Sequence, residues 1–299
     1  MLTKHAAEVK AVSNKLFWDA KSGRFIPGID ADEKTHDYGF TFLNLEAIYY
    51  DFATPEHAKT IMSWINGDRI VEGDTSQGKD IYHWRFAPRA TVKRNVEFYF
   101  WVWSGPETIP WGGQVQDGGA VLGFSYHDIM ARLAVLGPDN AWARLKEILA
   151  WFDEVQAAGG YRKYYDGSRE GSLQGGGTAG GLGLDMEFSE SVLVPTVMLD
   201  GFLGFRPLSD GFALDPKLPS DWPELAIDRI GHHGNVLTLR ATRNAIEVSN
   251  SVRSERPSII RLPRGKWKAS YIGEKALPRQ LADGSFEVDW SKHASARFD

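Results

Sequence analysis

The feature that most constrains this chain is an alternation of two kinds of helix along residues 3–203. Residues 3–18, 55–65 and 139–157 place apolar side chains at helical spacing among charged ones. In the first these are Val9, Val12, Leu16 and Phe17; in the last, Trp142, Leu145, Ile148, Leu149 and Phe152. Residues 40–50, 118–136 and 187–203 are apolar on most of their circumference. A helix with one wet face belongs outside, and one that is apolar all round must be enclosed.

The connections alternate too. Long irregular stretches, 19–37, 67–117 and 159–186, precede each enclosed helix. Tight turns follow the first two, at Ala53-Thr54-Pro55, with Thr54 placed to cap and Pro55 at the first helical position, and at Gly137-Pro138. Antiparallel pairs joined this way gather every long loop at one end, where the enclosed helices have their amino termini. Loops this long in a compact domain are usually functional. From about Arg206 short alternating runs take over, such as Asn235 to Thr242, Ser258 to Leu262 and Ser285 to Trp290, punctuated by Gly, Asn and Pro. The expected fold is therefore mainly α, with helical hairpins over residues 1–205, followed by an antiparallel, sandwich-like β-domain over 206–299.

Each enclosed helix is entered through acid: Asp37 before the first, Gln116-Asp117-Gly118-Gly119 before the second, and Asp185, Glu187 and Glu190 at the third. If the three helices stand side by side, these carboxylates converge on one mouth. Cleavage of a glycosidic bond needs such an arrangement, with one carboxyl to protonate the leaving oxygen and one carboxylate to activate water or attack. Any one of these residues could equally be a helix cap facing the positive end of the dipole. Asp117 and Glu187 are the catalytic candidates. Asp37, Gln116 and Glu190 are candidate binding residues.

The loop from Glu72 to Arg89 adds His83, Trp84 and Arg85, side chains able to bond hydroxyls and stack on a sugar face, though both Arg85 and Arg89 also suit loop salt bridges. Trp111, between Pro110 and Gly112, is the candidate exposed platform, with Trp101 and Trp103 near the same mouth. The glycine run 175–183 presents backbone N–H groups before a helix and would suit phosphate. No Walker lysine follows it, so it is no nucleotide P-loop. The His232-His233 pair reads as solvated surface.

With 11 Trp, 10 Tyr and 16 Phe in 299 residues, the composition suits sugar-ring recognition or an aromatic core. A net charge of −5 without a basic tract argues against nucleic acid. The absence of cysteine removes disulfides and thiolate chemistry. His, Asp and Glu show no ligand spacing, so neither a metal nor another cofactor is expected. No apolar run approaches a membrane span and no signal-peptide core is seen, which points to a cytoplasmic protein without membrane contact.

On these residues the chain resembles the last portion of a six-hairpin glycosidase. The likeness runs from Gln114 to about Arg240. It includes Gln116-Asp117-Gly118-Gly119 and the passage from Gly211 through Asp215-Pro216 and Leu218-Pro219 to Trp222. The latter is similar to the opening of the C-terminal domain in bacterial α-L-rhamnosidases, fucosidases and inverting disaccharide phosphorylases. The resemblance implies an (α/α)6 toroid, Asp117 and Glu187 beside the sugar subsite, and hydrolysis with inversion. Phosphorolysis, or carbohydrate binding without turnover, stands as the alternative. Six helices are only half of such a ring, so the toroid is incomplete. An open flank exposes apolar surface, and the expected partner is a second copy or a complementary N-terminal subunit.

Overall fold

The computed structural model describes residues 2–94, 110–166, 182–183 and 189–299. Two compact units result, one ending at Pro195 and the other starting at Thr196.

In the first unit, α1 (Leu2–Phe17) leads to a pair of two-residue strands, β1 (Trp18–Asp19) and β2 (Arg24–Phe25). A second such pair follows, β3 (Gly28–Ile29) with β4 (Thr35–His36). The enclosed helix α2 (Thr41–Tyr49) and the amphipathic α3 (Pro55–Ile65) form a hairpin. The Thr54 hydroxyl accepts the His57 N–H at 3.1 Å, and Pro55 opens the helix. Beyond a 3-10 turn at Gly78–Tyr82 and a two-residue strand β5 (Ala120–Val121) come α4 (Phe124–Val135) and α5 (Pro138–Ala157). A single turn, α6 (Tyr161–Tyr164), and β6 (Leu182–Gly183), parallel to β5, complete it.

The core joins Leu45 and Ile48 of α2 to Ile61, Met62, Trp64 and Ile65 of α3, with Ile81 and Val92 from the loops. Asn44 is fully buried on α2. Its carboxamide exchanges bonds with both backbone groups of Phe25, at 2.8 and 3.1 Å, and also donates to Phe40 O at 2.9 Å. A polar side chain on an enclosed helix thus fastens the loop before it, which satisfies its own buried amide as well.

A second polar knot pins α4 to α5. The Asp128 carboxylate receives Arg132 Nε at 2.8 Å and the Tyr82 hydroxyl at 2.9 Å, with Arg144 Nε 3.6 Å away. Burial drives the Tyr82 phenol far above its usual range, against the opposing pull of Arg132.

The second unit opens with a π-helical turn, Met198–Phe202, and is otherwise strands: β7 (Arg206–Leu208), β8 (Gly211–Ala213), β9 (Glu224–His232), β10 (Asn235–Thr242), β11 (Ile246–Asn250), β12 (Ser258–Arg261), β13 (Ala269–Tyr271), β14 (Arg279–Gln280), β15 (Phe286–Val288) and β16 (Ser295–Phe298). They form two five-stranded sheets, β13-β16-β11-β10-β9 and β14-β15-β12-β8-β7. Alternation along β10 and β11 buries Leu237, Leu239, Ala241, Ile246 and Val248. Phe286 of one sheet meets Phe298 of the other, centroids 5.3 Å apart. All pairings are antiparallel except β12 with β8.

Three expectations need correction. The fold is not mainly α: 34% of residues are helical and 23% are in strands. Long loops occupy much of the first unit, its enclosed helices are short, and the second unit contributes ten strands. The helix placed over 118–136 begins only at Phe124, because Gly118 takes a left-handed φ of 87° and residues 120–121 pair as a strand. The helix placed over 187–203 is a 3-10 segment, Ser189–Thr196, then the π turn; Pro195 lacks the N–H that an α-helix would need there.

Candidate functional site

The segment from Arg89 to Arg94 stitches three loops to the amino end of α2. Thr41 N–H donates to Ala90 O at 3.1 Å, and Ala90 N–H to Gly119 O at 2.7 Å. Val92 N–H reaches Gly39 O and Lys93 N–H reaches Tyr38 O, each at 3.1 Å. Thr75 and Ser76 N–H groups both donate to Val92 O at 2.9 Å. The stretches containing Asp37, Asp74 and Asp117 therefore meet along one extended strip. The loops before the first two enclosed helices thus meet through their backbones, whereas the carboxylates of Asp37 and Asp117 do not open onto one mouth.

Asp117 lies in a tight loop, its N–H donating to Gln114 O at 3.1 Å and its carbonyl accepting Gly112 N–H at 2.8 Å. Its side chain is wholly buried, with Arg94 Nε 3.2 Å from Oδ2. This differs from a carboxylate open to a shared hollow. The cause is the neighbouring glycine. Gly118 has φ 87°, and a Cβ there would lie 2.5 Å from the Trp111 ring, so the indole packs directly on the backbone beside Asp117. Trp111 is consequently half-buried and is no exposed platform; its Nε1 donates to Ser76 Oγ at 2.8 Å.

Arg89 organises the surroundings. Its guanidinium lies 5.8 Å from the Trp84 ring centroid and 5.7 Å from that of Trp111, and Nη1 donates to Gly118 O at 2.5 Å. Trp84 is buried and its Nε1 donates to the same carbonyl at 3.3 Å. On the other side Arg89 Nη2 reaches Asp80 Oδ1 at 3.3 Å, and His83 Nδ1 lies 3.3 Å from that oxygen. Burial works to raise the Asp80 carboxyl, but the hydrogen bond from Ser76 and the charge of Arg89 outweigh it and leave the group below its ordinary value. His83, Trp84, Trp111 and Asp117 thus belong to one cluster. Gln116 is exposed in the same loop, its carbonyl accepting from Thr91 Oγ1 at 3.2 Å. Arg85 does not join them. It leaves toward α5, with Nη1 2.6 Å from Glu154 and Nε 3.8 Å from Glu147.

Asp37 occupies a second cluster. Arg24, 1% exposed, donates Nε and Nη2 to Asp37 at 2.9 and 2.7 Å, and Nη1 and Nη2 to Asp74 at 2.6 and 2.7 Å. Gly39 N–H adds a third bond to Asp37 at 3.0 Å. Asp37 retains 21% of its side-chain surface and lines, with Trp18, Glu72 and Lys93, a cavity of about 640 Å³. That volume is within the range of small-molecule sites.

Arg24, Asp74, Arg94 and Gln114 were not foreseen. Gln114 carries a signal of its own: it is buried at 3% exposure, and neither end of its carboxamide has a hydrogen-bond partner among the described residues. Glu187 lies outside the described residues, as do Trp101, Trp103 and the glycine run except Leu182 and Gly183; of Glu190 only the backbone, in the 3-10 segment, is described. Among the described residues no group of His, Asp or Glu could hold a metal ion, and no helix is long and apolar enough to cross a membrane. In the second unit His232 and His233 are fastened rather than free, their Nε2 atoms 2.7 and 2.9 Å from the carbonyls of Gly211 and Leu208.

Comparison with known proteins bears on the second unit. Residues 205–263 match the family model described as glycosyl hydrolase family 65, C-terminal domain. The β-unit is similar to that domain. The matched stretch starts one residue before β7 and ends after β12, so it takes in the two histidines and the β8–β12 parallel pair. Among solved structures, a putative kojibiose phosphorylase from human microbiome aligns over 26% of this chain and 11% of its own, at 16% identity and a TM-score of 0.22. The match thus spans about a tenth of that chain's length. No curated protein sequence matches.

Proposed function

We propose that this chain is part of a carbohydrate-active enzyme that cleaves a glycosidic bond of an oligo- or polysaccharide, by hydrolysis with inversion. The observation that carries this reading is the likeness of residues 205–263 to a glycosyl hydrolase C-terminal domain, following a unit in which the loops that carry Asp37, Asp74 and Asp117 are joined by backbone hydrogen bonds.

In this account the sugar is held in the cavity beside Asp37. The three bonds that fix Asp37 orient it as an acceptor for ring hydroxyls, and Trp18 and Lys93 add an apolar wall and a donor. The unpartnered Gln114 carboxamide, in the loop of Asp117, is a ready donor and acceptor for a hydroxyl or a water. Asp117 and Glu187 form the catalytic pair. The guanidinium of Arg94 matches an ionised Asp117, the form that a general base needs, which leaves Glu187 as the acid. His83, Trp84, Trp111, Gln116 and Glu190 are assigned to sugar binding; the ion pairs of Arg85 on α5 take it out of this set.

The test is a screen of nitrophenyl glycosides and natural oligosaccharides with the full chain, with and without inorganic phosphate. Release of free sugar independent of phosphate supports hydrolysis. Strict dependence on phosphate with formation of a sugar phosphate moves the reaction to phosphorolysis. Calorimetric binding without turnover makes the chain a carbohydrate-binding subunit.

A further inference from the structure

Helix α1 carries an exposed stripe with a regular spacing. Leu2, His5, Val9, Val12 and Leu16 follow one another at intervals of three and four, the heptad pattern of a two-helix seam. All are exposed; Leu2, Val9, Val12 and Leu16 have 85%, 46%, 56% and 52% of their surface open to solvent. The helix is held to the body by a different face. Lys10 bonds the Asp51 backbone and lies 3.3 Å from its carboxylate, Asn14 donates to Phe52 O at 2.9 Å and meets His57 at 3.0 Å, and Phe17 packs on the core. At 100° per residue these anchors stand about 120° around the helix from the stripe, so the seam faces solvent along most of its length, with Leu16 at its end also lining the cavity of Asp37.

We infer that this seam is a self-association surface on which α1 of a second copy docks antiparallel about a two-fold axis. Charge selects the occupant and its direction. In an antiparallel seam Val9 lies against Val12 of the partner and Leu16 against His5, and the flanking positions bring Glu8 beside the partner's Lys15. The two-fold repeats that pair at the other end of the same flank. In a parallel seam Glu8 would face Ser13 and gain nothing. The opposite flank carries Ala6 and Ser13, small enough to let the helices approach. An isologous contact of this kind closes on itself. The anchors preform α1, so association does not have to nucleate a helix of two heptads, which alone is marginal in water. This inference does not rest on the chemistry proposed above, although Leu16 belongs both to the seam and to the lining of the Asp37 cavity.

The experiment measures the mass of the full chain across a concentration series, by light scattering or sedimentation, for four proteins. Wild type is expected to move from 33.4 kDa toward twice that mass. Val12→Glu, which sets a charge in the seam of both copies, is expected to weaken dimerisation by more than about 100-fold. Glu8→Lys replaces two attractions by two repulsions and is expected to cost roughly tenfold, and Glu8→Lys with Lys15→Glu to restore the wild-type constant. Far-UV circular dichroism verifies that the helix content of each variant is unchanged. A monomer at every concentration overturns the inference, as does binding of that monomer to anionic vesicles in place of self-association. A dimer indifferent to Val12→Glu, or a charge swap that fails to rescue, assigns the contact to another surface or direction and overturns it equally.

Discussion

Replacing Arg24 by methionine removes the link on which the Asp37 cavity is built. Arg24 and Asp74 are each 1% exposed at the side chain, and the guanidinium makes four charge-assisted bonds, two to each carboxylate. Burial alone would lower the Arg24 pKa, but the bonds and charges of Asp74 and Asp37 outweigh it and raise it, a sign that the pairs more than offset desolvation. Methionine fills most of the volume over Trp64 while leaving Asp74 sealed without its counter-charge. Breaking a buried ion pair on one side costs about 3–5 kcal/mol. With a urea dependence of about 1–3 kcal/mol per M, the midpoint should fall by about 1–5 M, followed by circular dichroism at the helix band. A loss below about 1 kcal/mol would refute the reading of Arg24 as a buried clamp.

Other outcomes follow from single residues. Gly118→Ala forces a left-handed φ on a side chain and drives its Cβ toward Trp111; about 2–5 kcal/mol should be lost, with changed indole fluorescence. Tyr82→Phe removes a hydroxyl that donates to Asp128 and accepts from Arg132, and should cost about 1–3 kcal/mol in urea unfolding. Asp289 is lowered to about 2, chiefly by the Ser291 hydroxyl, then by Ser291 N–H and Lys292. A depressed carboxylate stabilises above its unfolded pKa near 4, and that share is lost as pH falls from there toward 2. Asp289→Asn should therefore flatten this acid limb. Because the group is open to solvent, the effect should stay under about 1 kcal/mol.

What was legible in the sequence was whatever depends on local pattern. Thr54 and Pro55 announce the start of α3 because both act within one turn, and alternation from Asn235 to Thr242 fixes which face of β10 is buried. The loops before α2 and α4 meet because helix length and direction dictate where connections emerge. What escaped was set by contacts distant in sequence. Nothing local marks Arg24 as the partner of Asp74, fifty residues on, and its surroundings read only as part of the irregular stretch 19–37. The burial of Asp117 depends on Trp111 lying over Gly118, a packing choice that two glycines permit without specifying. The overstated helix content came from carrying apolar runs through Gly118 and Pro195, where backbone chemistry overrides hydropathy.

The central claim is that the carboxylates on this strip act on a sugar, Asp37 by holding it and Asp117 by chemistry. Steady-state kinetics of Asp37→Asn and Asp117→Asn beside wild type, on a glycoside found in the screen, tests it most directly. The account predicts that Asp37→Asn raises KM with kcat little changed, and that Asp117→Asn lowers kcat by about 100-fold or more with the helical transition retained. Wild-type turnover in Asp117→Asn, accompanied only by lower stability, would reduce its pairing with Arg94 to a structural ion pair and contradict the account.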